Sequence, residues 1–440
     1  MTFRSILISC ATLVLATACG AESSSAPAYL QQPDASFAWR VLDEKNAENF
    51  DVYELELVSQ TWQGVAWTHW MTVAAPRTIS ADHGEVALLY IDGGNQSTRP
   101  SDRIDRQEKL FGEAAARTGT LMVTLRQVPN QPLFEGLRED ALIAHSFVRF
   151  LETADASWPA LLPMTRAAMR AMDAVQAFAR DRLSVEIERF VVTGASKRGW
   201  TTWLTGAHDG RVAAIAPMVI DTLNMKEQMG LQLEAFGSFS IEIQDYVDQD
   251  LPERAGEPLG DALLRLVDPY HQRHRLAIPK LLIIGTNDPY WPVDAAGLYF
   301  GDLVGEKLIH YMPNTGHSPG PSALQAISAF YQTVLEDEAR PQLQWQVTEN
   351  GHAATFSVTS DRAPVHAALW SAISPEDRDF RDEVWKSEPI EQSEGHMVAM
   401  LELPDQGFVA AYVALDFTTG GGLPITLCTT AEVFGVSLYR

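Results

Sequence analysis

Short apolar runs separated by helical segments constrain the fold of this chain more than any other feature. The runs lie at residues 85–91, 120–125, 190–193, 212–220, 281–285 and 307–311. Their continuous apolar character is typical of strands buried on both faces, which form mostly parallel sheets covered by helices. Helices are predicted at 138–151 and 164–180, the second with Met169, Met172, Val175 and Phe178 on one apolar face. The sequence therefore predicts an α/β domain over residues 36–340.

Three further segments complete the predicted architecture. Residues 52–58 alternate polar and apolar like a half-buried edge strand, with 64–73 as its hairpin partner. Residues 221–274 interrupt the alternation of strands and helices, so we expect a cap inserted over the cleft. Beyond residue 340 the pattern changes to short alternating runs with hairpin turn signals, which predicts a β-sandwich-like domain over 341–440.

The N-terminus has the features of a targeting segment. A basic start is followed by an apolar run that ends at Ala16-Thr17-Ala18, a small-residue cleavage site, and Cys19 comes next. Residues 1–18 are predicted to be a signal peptide, and 19–35 a flexible linker. Small residues before Cys19 resemble a bacterial lipobox, which predicts a lipid anchor to the membrane. The alternative is ordinary secretion after Ala18. Either way we expect an exported protein, at the periplasmic face of a membrane or in the periplasm.

Composition excludes some classes of partner. The chain of 440 residues has 33 Lys+Arg against 57 Asp+Glu, a net charge of −24. Nucleic acid is not expected as a partner, because phosphate binding needs a basic surface. Cys428 is the one cysteine in the body of the chain, so no internal disulfide is predicted. No metal-ligand motif or cofactor loop stands out, and no cofactor is expected.

The segment from Phe190 to Trp200 carries the clearest sign of chemistry. A buried strand runs into a tight turn with Ser196 at its tip, and a helix follows. This is the pattern of a nucleophile elbow, in which a strained turn exposes a serine hydroxyl in a cleft. The usual spacing is Gly-x-Ser-x-Gly, but here Arg198 stands at the second place after the serine and Gly199 at the third. We expect Ser196 to be a nucleophile.

A serine nucleophile needs a base and an acid, and both are available downstream. His317 follows the last buried run, and Asp288 follows the run before it. The order serine, acid, histidine is that of an α/β-hydrolase sheet. In this interpretation His317 takes the serine proton and Asp288 orients the imidazole. Asp221, after the preceding run, is the main rival acid, and Asp294 is a weaker one.

An oxyanion hole is the remaining requirement. One donor is expected to be the backbone N–H of Lys197, directly after the nucleophile. The second is expected from the loop that contains Gly93 and Gly94, because glycines let the backbone approach a substrate closely. The side chains of Lys197 and Arg198 have two open interpretations. They form ion pairs at the start of a helix, or they add positive charge near the oxyanion and bind a substrate carboxylate.

Several long segments resemble the PhoPQ-activated pathogenicity-related protein family. They lie at residues 138–144, 158–163, 169–175, 191–203, 215–221, 268–270 and 279–289. The resemblance covers most of the chain and implies an exported bacterial protein with an α/β-hydrolase fold, with some relatives associated with virulence. It does not imply one settled substrate. The elbow also looks like the Gly-x-Ser-Arg-x-Gly turn of glucuronoyl esterases, with Lys197 in place of the arginine.

The leading hypothesis is a serine esterase that acts through Ser196, His317 and Asp288. Its substrate is expected to be a small-molecule, glycan or peptide ester. A peptidase or amidase with the same triad is the near alternative, because these residues do not encode the leaving group. A binding protein of the cell envelope that retains the fold without catalysis is the alternative from a different class.

Overall fold

The first sheet of the computed structural model positions every candidate residue named above except Cys19. Residues 27–393 and 395–436 are described. The strands of this sheet are β1 Ala38–Asn46, β2 Phe50–Trp62, β3 Val65–Pro76, β4 Val86–Ile91, β5 Leu121–Leu125, β6 Arg189–Ala195, β7 Val212–Met218, β8 Lys280–Gly285 and β9 Lys307–Met312. Within the described ranges their order is β1-β2-β3-β5-β4-β6-β7-β8-β9. The strands from β5 to β9 in that order run parallel, and β1, β2 and β3 are antiparallel to their neighbours.

Helices cover this sheet on both faces, as its buried strands require. They are α1 Ala28–Gln31, α2 Arg106–Thr118, α3 Glu139–Thr153, α4 Leu161–Phe178, α5 Lys197–His208, α6 Met225–Phe236, α7 Gln244–Val247, α8 Leu251–Arg254, α9 Pro258–Val267 and α10 Pro321–Leu335. Buried side chains of α3, α4 and α5 share one core with one face of the sheet, and those of α2 and α10 share a second core with the other face. Short helical turns lie at Ala179–Leu183, Ile241–Ile243, Pro269–Arg275, Ala295–Leu298 and Phe300–Asp302.

The predicted strands and helices of this domain are present, with two additions and two corrections. Helix α2, which begins with a capping box between Asp105 and Glu108, and helix α10 were not predicted. The strand at 52–58 is not an edge strand, because β1 pairs along its outer side. The prediction of a flexible linker over residues 19–35 is wrong for its last part, which contains helix α1. There α1 packs on α4, with Tyr29 and Leu30 buried and the Tyr29 hydroxyl donating to Gln60.

The C-terminal region consists of two antiparallel sheets. One has the order β10-β11-β15-β14, and the other contains β13, β12, β16 and β17, with β18 paired to β16. The strands are β10 Leu343–Glu349, β11 Ala353–Ser360, β12 His366–Ser374, β13 Lys386–Pro389, β14 Gln392–Ser393, β15 His396–Glu402, β16 Gly407–Thr418, β17 Pro424–Cys428 and β18 Glu432–Val436. Phe356 and Met397 of one sheet and Leu369 and Val413 of the other share one buried cluster, as in a sandwich.

The predicted signal peptide, Cys19 and the first residues of the linker lie outside the described residues. Among the helices that the structure describes, none combines the length and the apolar character needed to cross a membrane.

Candidate active site

Ser196 sits on a strained turn between β6 and α5. Its backbone has φ 57° and ψ −126°, a conformation that non-glycine residues rarely adopt. The turn is tightly packed: a Cβ on Gly194 would lie 2.8 Å from the carbonyl oxygen of Arg198. A Cβ on Gly199 would lie 2.6 Å from Ile220 and 3.0 Å from the carbonyl oxygen of Gly194. The third place after the serine is therefore the position that needs glycine here, which explains the unusual spacing.

The three residues predicted as a triad lie in hydrogen-bond contact. Ser196 Oγ is 2.7 Å from His317 Nε2, and His317 Nδ1 is 2.8 and 3.0 Å from the two carboxylate oxygens of Asp288. A carboxylate can only accept, so Nδ1 carries the proton and Nε2 is free to accept from the serine. Asp288 is buried and also accepts from the backbone N–H of Tyr290. The Tyr290 ring lies 4.1 Å from the His317 ring, centroid to centroid.

The two rival acids have other partners. Asp221 accepts a 2.6 Å hydrogen bond from the Tyr299 hydroxyl and is fully buried. Burial, with lesser help from nearby carboxylates, raises the pKa of Asp221 from 3.8 to about 7. Asp294 is paired with Arg378 at 2.5 Å. Of the three candidates, Asp288 is the one within hydrogen-bond distance of His317.

Two other serine–histidine pairs show what distinguishes the pair at the elbow. Ser322 Oγ lies 2.8 Å from His310 Nε2, and Ser59 Oγ lies 2.9 Å from His69 Nε2. In both, the second ring nitrogen faces a backbone carbonyl instead of a carboxylate. Burial lowers the pKa of His310, and lowers that of His69 to about 4. These histidines are therefore poor bases at neutral pH, and neither serine stands on an elbow.

In the oxyanion loop of residues 92–95, the backbone N–H of Gly94 is a better candidate for an oxyanion donor than the backbone N–H of Gly93. The Gly93 N–H donates to the Asp92 carboxylate at 2.8 Å. In the described part of the chain the Gly94 N–H has no such acceptor, and Gly94 adopts φ 117°, which favours glycine. Lys197 is the first residue of α5, where the N–H has no acceptor inside the helix. Among the described residues, the N–H groups of Gly94 and Lys197 are therefore both without an acceptor.

Both basic side chains of the elbow are paired within the protein. Lys197 Nζ lies 2.7 Å from Asp140 and 5.6 Å from the centroid of the Tyr290 ring. Arg198 donates two hydrogen bonds to Glu139, at 2.6 and 2.8 Å, and a third to the carbonyl of Val128. Burial raises the pKa of Glu139, but the hydrogen bonds and charge of Arg198 outweigh it and leave that pKa below its ordinary value. Of the two interpretations left open by the sequence, internal ion pairing is the one that these contacts match.

A chain of hydrogen bonds connects Arg198 to the oxyanion loop. The side-chain amide of Gln131 donates to the Glu139 carboxylate at 2.6 Å and to the backbone carbonyl of Gly94 at 2.9 Å. The oxygen of the same amide accepts from the backbone N–H of Glu139. The guanidinium also lies against Gly93, where a Cβ would approach Nη2 to 2.7 Å. The elbow and the oxyanion loop are thus held in one network.

A largely apolar cavity opens beside Ser196 and His317. It has a volume of about 110 Å³ and is lined by residues of α6, α8 and α9, together with Trp200 of α5 and Phe147 of α3. The segment predicted as a cap supplies more than half of this lining.

The C-terminal region holds the two loops that carry the acid and the base. The Asn287 amide donates to the carbonyls of Phe380, Arg381 and Glu383, at 3.2, 3.2 and 2.8 Å. The Asn314 side chain exchanges two hydrogen bonds with the backbone of Trp385, at 2.8 and 3.0 Å. These contacts fix the loops of Asp288 and His317 to the C-terminal region.

The sequence patterns predicted none of these contacts, and they did not predict the ion pairs of Glu139 and Asp140 with the elbow. For Glu139 and Asp140, the one available signal was the segment at 138–144 that resembles the family.

A family model described as the PhoPQ-activated pathogenicity-related protein matches residues 26–381. The chain belongs to this family. It is 32% identical over 377 residues to the Autocrine proliferation repressor protein A of Dictyostelium discoideum, across 80% of this chain and 75% of that protein. An acetyl xylan esterase from Paenibacillus sp. R4 aligns with a TM-score of 0.50 at 15% identity, across 70% of this chain and 91% of that one. This likeness confirms the predicted α/β-hydrolase fold.

Proposed function

We propose that this family member is a serine hydrolase that cleaves carboxylic esters through an acyl-enzyme. The observation that carries the proposal is the continuous chain of hydrogen bonds from Ser196 Oγ through His317 to Asp288, on a strained elbow beside a cavity. Nucleophile, base and orienting acid are the parts that acyl transfer requires. The α/β-hydrolase fold supports the proposal but does not by itself specify a reaction.

In the first step Ser196 Oγ attacks the ester carbonyl carbon while its proton passes to His317 Nε2. The carbonyl oxygen becomes an anion, and the N–H groups of Lys197 and Gly94 stabilise it. Asp288 stabilises the imidazolium that forms. The carbon–oxygen bond to the alcohol then breaks, and the alcohol leaves with the proton from His317.

In the second step a water molecule gives a proton to His317 Nε2 and its oxygen attacks the acyl carbon. The bond to Ser196 Oγ breaks, the serine recovers its proton from His317, and the carboxylic acid departs. Arg198 acts as a positioning residue in this proposal, because its donors already bind Glu139 and Val128. Its contacts support that role over the binding of a substrate carboxylate.

The test compares Ser196→Ala with Ser322→Ala in the full chain. Ser322 is the matched control, because its hydroxyl lies 2.8 Å from a histidine nitrogen, much as that of Ser196 does, but outside the elbow. With p-nitrophenyl butyrate as substrate, we expect Ser196→Ala to lower kcat by at least about 10⁴-fold and Ser322→Ala to change it by less than about twofold. A fluorophosphonate probe should label the wild type and the control but not Ser196→Ala.

Two results would count against the proposal. Absence of covalent labelling of the folded wild type would favour a binding protein without catalysis. Hydrolysis of peptide amides without hydrolysis of esters would favour a peptidase with the same triad.

A further inference from the structure

The cavity beside Ser196 has a composition that restricts what it can hold. Its apolar lining includes Met229 of α6, Leu251 of α8, Leu263 of α9 and Ile243 from the turn before α7. Leu251, Leu263 and Ile243 are buried, as is Trp200 on the opposite wall. The lining also contains Lys197 and Asp140, which neutralise each other in an ion pair, and Arg254, which lies 3.7 Å from the carboxylate of Glu257. A space of this kind favours an uncharged hydrocarbon group.

The volume of the cavity sets the size of that group. A cavity of about 150 Å³ binds benzene, and a water molecule in the liquid takes about 30 Å³. The 110 Å³ beside Ser196 therefore has room for roughly three to four carbon-sized groups. An acetyl methyl would leave most of this space empty, and the far end of an eight-carbon chain would extend through the open side of the cavity into solvent.

The directions of the four groups around the reacting carbon decide whether the acyl half or the alcohol half of an ester enters the cavity. In the tetrahedral intermediate the anion faces the N–H groups of Lys197 and Gly94. The alcohol oxygen must lie at His317 Nε2, which gives it a proton. The acyl chain takes the remaining direction, and it stays on Ser196 after the alcohol has left. Ser196 and His317 line the cavity together with residues of the cap helices α6, α8 and α9. The acyl group is the half of the ester that stays bound to Ser196 through both steps, so it is the half that such a cavity can hold throughout the reaction.

We propose that this cavity is an acyl pocket for short, uncharged acyl groups of about four to five carbons, counted with the carbonyl. The assignment rests on the proposed esterase function. Each methylene buried in such a pocket contributes about a fourfold factor to kcat/KM. For the full chain and p-nitrophenyl esters, we expect butyrate to exceed acetate by about 15-fold and octanoate to gain less than about twofold over butyrate.

Substitutions in the lining should change this selectivity without removing the chemistry. Ala255 lines the cavity at the end of α8 and is half-buried, so Ala255→Phe places a ring in the pocket. We expect the butyrate-to-acetate ratio to fall to within about twofold of one, with acetate hydrolysis retained. Leu259→Phe is the matched control, because Leu259 is exposed on the neighbouring helix and does not line the cavity. It should keep the wild-type ratio.

Two more variants guard against a folding failure of Ala255→Phe. Met229→Phe blocks the pocket from α6, and Leu263→Ala enlarges it and should move the optimum toward hexanoate. A second ester series with a fixed butyryl group and methyl, ethyl or butyl alcohols should vary by less than about threefold. Ala255→Phe should lower the rates of all three butyryl esters by a similar factor and leave the ratios among the alcohols unchanged.

The outcomes separate this proposal from the one beneath it. If Ser196-dependent hydrolysis is seen but acetate equals or exceeds butyrate, the acyl pocket is wrong and the esterase function stands. If Ala255→Phe changes the ratios among the alcohols and leaves the butyrate-to-acetate ratio unchanged, the cavity binds the alcohol and the assignment is overturned. If the folded protein neither cleaves esters nor reacts with the fluorophosphonate, both proposals fail together.

Discussion

Two aspartates follow neighbouring strands of the sheet and have opposite surroundings. Asp288, after β8, accepts from the His317 ring and from the backbone N–H of Tyr290. Asp221, after β7, accepts from the Tyr299 hydroxyl with one oxygen, and its other oxygen has no partner among the described residues. Both are at least 97% buried. The difference is in the donors: Asp288 accepts from an imidazole and from a backbone N–H, whereas burial raises the pKa of Asp221 and favours its protonated form.

The order of the strands explains why Asp288 is the one that reaches the histidine. His317 follows β9, and β8 lies beside β9 whereas β7 is one strand further away. Adjacent strands are about 4.8 Å apart, so the loop after β7 starts about one strand spacing farther from the imidazole. Two acids that each follow a buried strand thus acquire different roles from their positions in the sheet and from the donors that surround them.

The largest expected difference between the two aspartates is in turnover. Asp288→Asn keeps the shape of the side chain but presents an amide that can no longer hold His317 in the tautomer that accepts from serine. We expect kcat for p-nitrophenyl butyrate to fall by about 10³–10⁴-fold. Asp221→Asn should change kcat by less than about threefold, since no contact connects it to the imidazole. Equal losses in the two variants would show that both acids serve the histidine.

The sequence was sufficient to find the candidate triad residues, but it did not give the strand order or the long-range contacts that hold them. Serine, acid and histidine could be placed because each follows a buried run, and buried strands are the most regular pattern in the chain. The order of serine, acid and histidine in the sequence favoured Asp288 over Asp221, but the strand order that separates the two acids in space is not encoded by any local pattern. Helices α2 and α10 were not predicted, although α2 begins with a capping box. The bracing of the elbow by Glu139 joins residues that are 59 positions apart, so no spacing rule reveals it.

The second difference concerns stability and pH. Burial raises the pKa of Asp221 from 3.8 to about 7, so between pH 4 and 7 the folded protein holds a proton that the unfolded chain releases. The contribution of Asp221 to the free energy of unfolding therefore falls as the pH rises through this range and levels off above it. Asp221→Asn removes this titration. Relative to wild type, the variant should gain on the order of 1 to 3 kcal/mol between pH 5 and pH 8.

Urea unfolding at pH 5, 6, 7 and 8 measures this gain. Asp302→Asn is the matched control, because Asp302 also accepts from a tyrosine hydroxyl, that of Tyr270, but at the protein surface. The control should follow the wild-type curve within about 0.5 kcal/mol. A constant offset between Asp221→Asn and wild type at every pH would mean that Asp221 is ionised in the folded protein throughout.

The smallest expected effect tests how each aspartate's loop is held. The loop after β8 is held against the C-terminal region by the three hydrogen bonds of the Asn287 amide. The loop after β7 is held against the cap, where Asp268 accepts from the backbone N–H groups of Asn224 and Met225. Asn287→Ala should let Asp288 shift against His317. We expect kcat to fall by about five- to tenfold with KM nearly unchanged, because an orientation needed in the transition state is lost while the acyl pocket is intact.

Asn350→Ala is the control for this last variant, since Asn350 caps a hairpin turn within the C-terminal region by accepting from its backbone N–H groups. It should leave kcat unchanged. If Asn287→Ala lowers only the unfolding temperature, the contact is structural and the acid loop is rigid without it. If kcat falls as expected, the β-rich C-terminal region contributes to turnover by fixing the loop of Asp288, a support that the loop of Asp221 does not share.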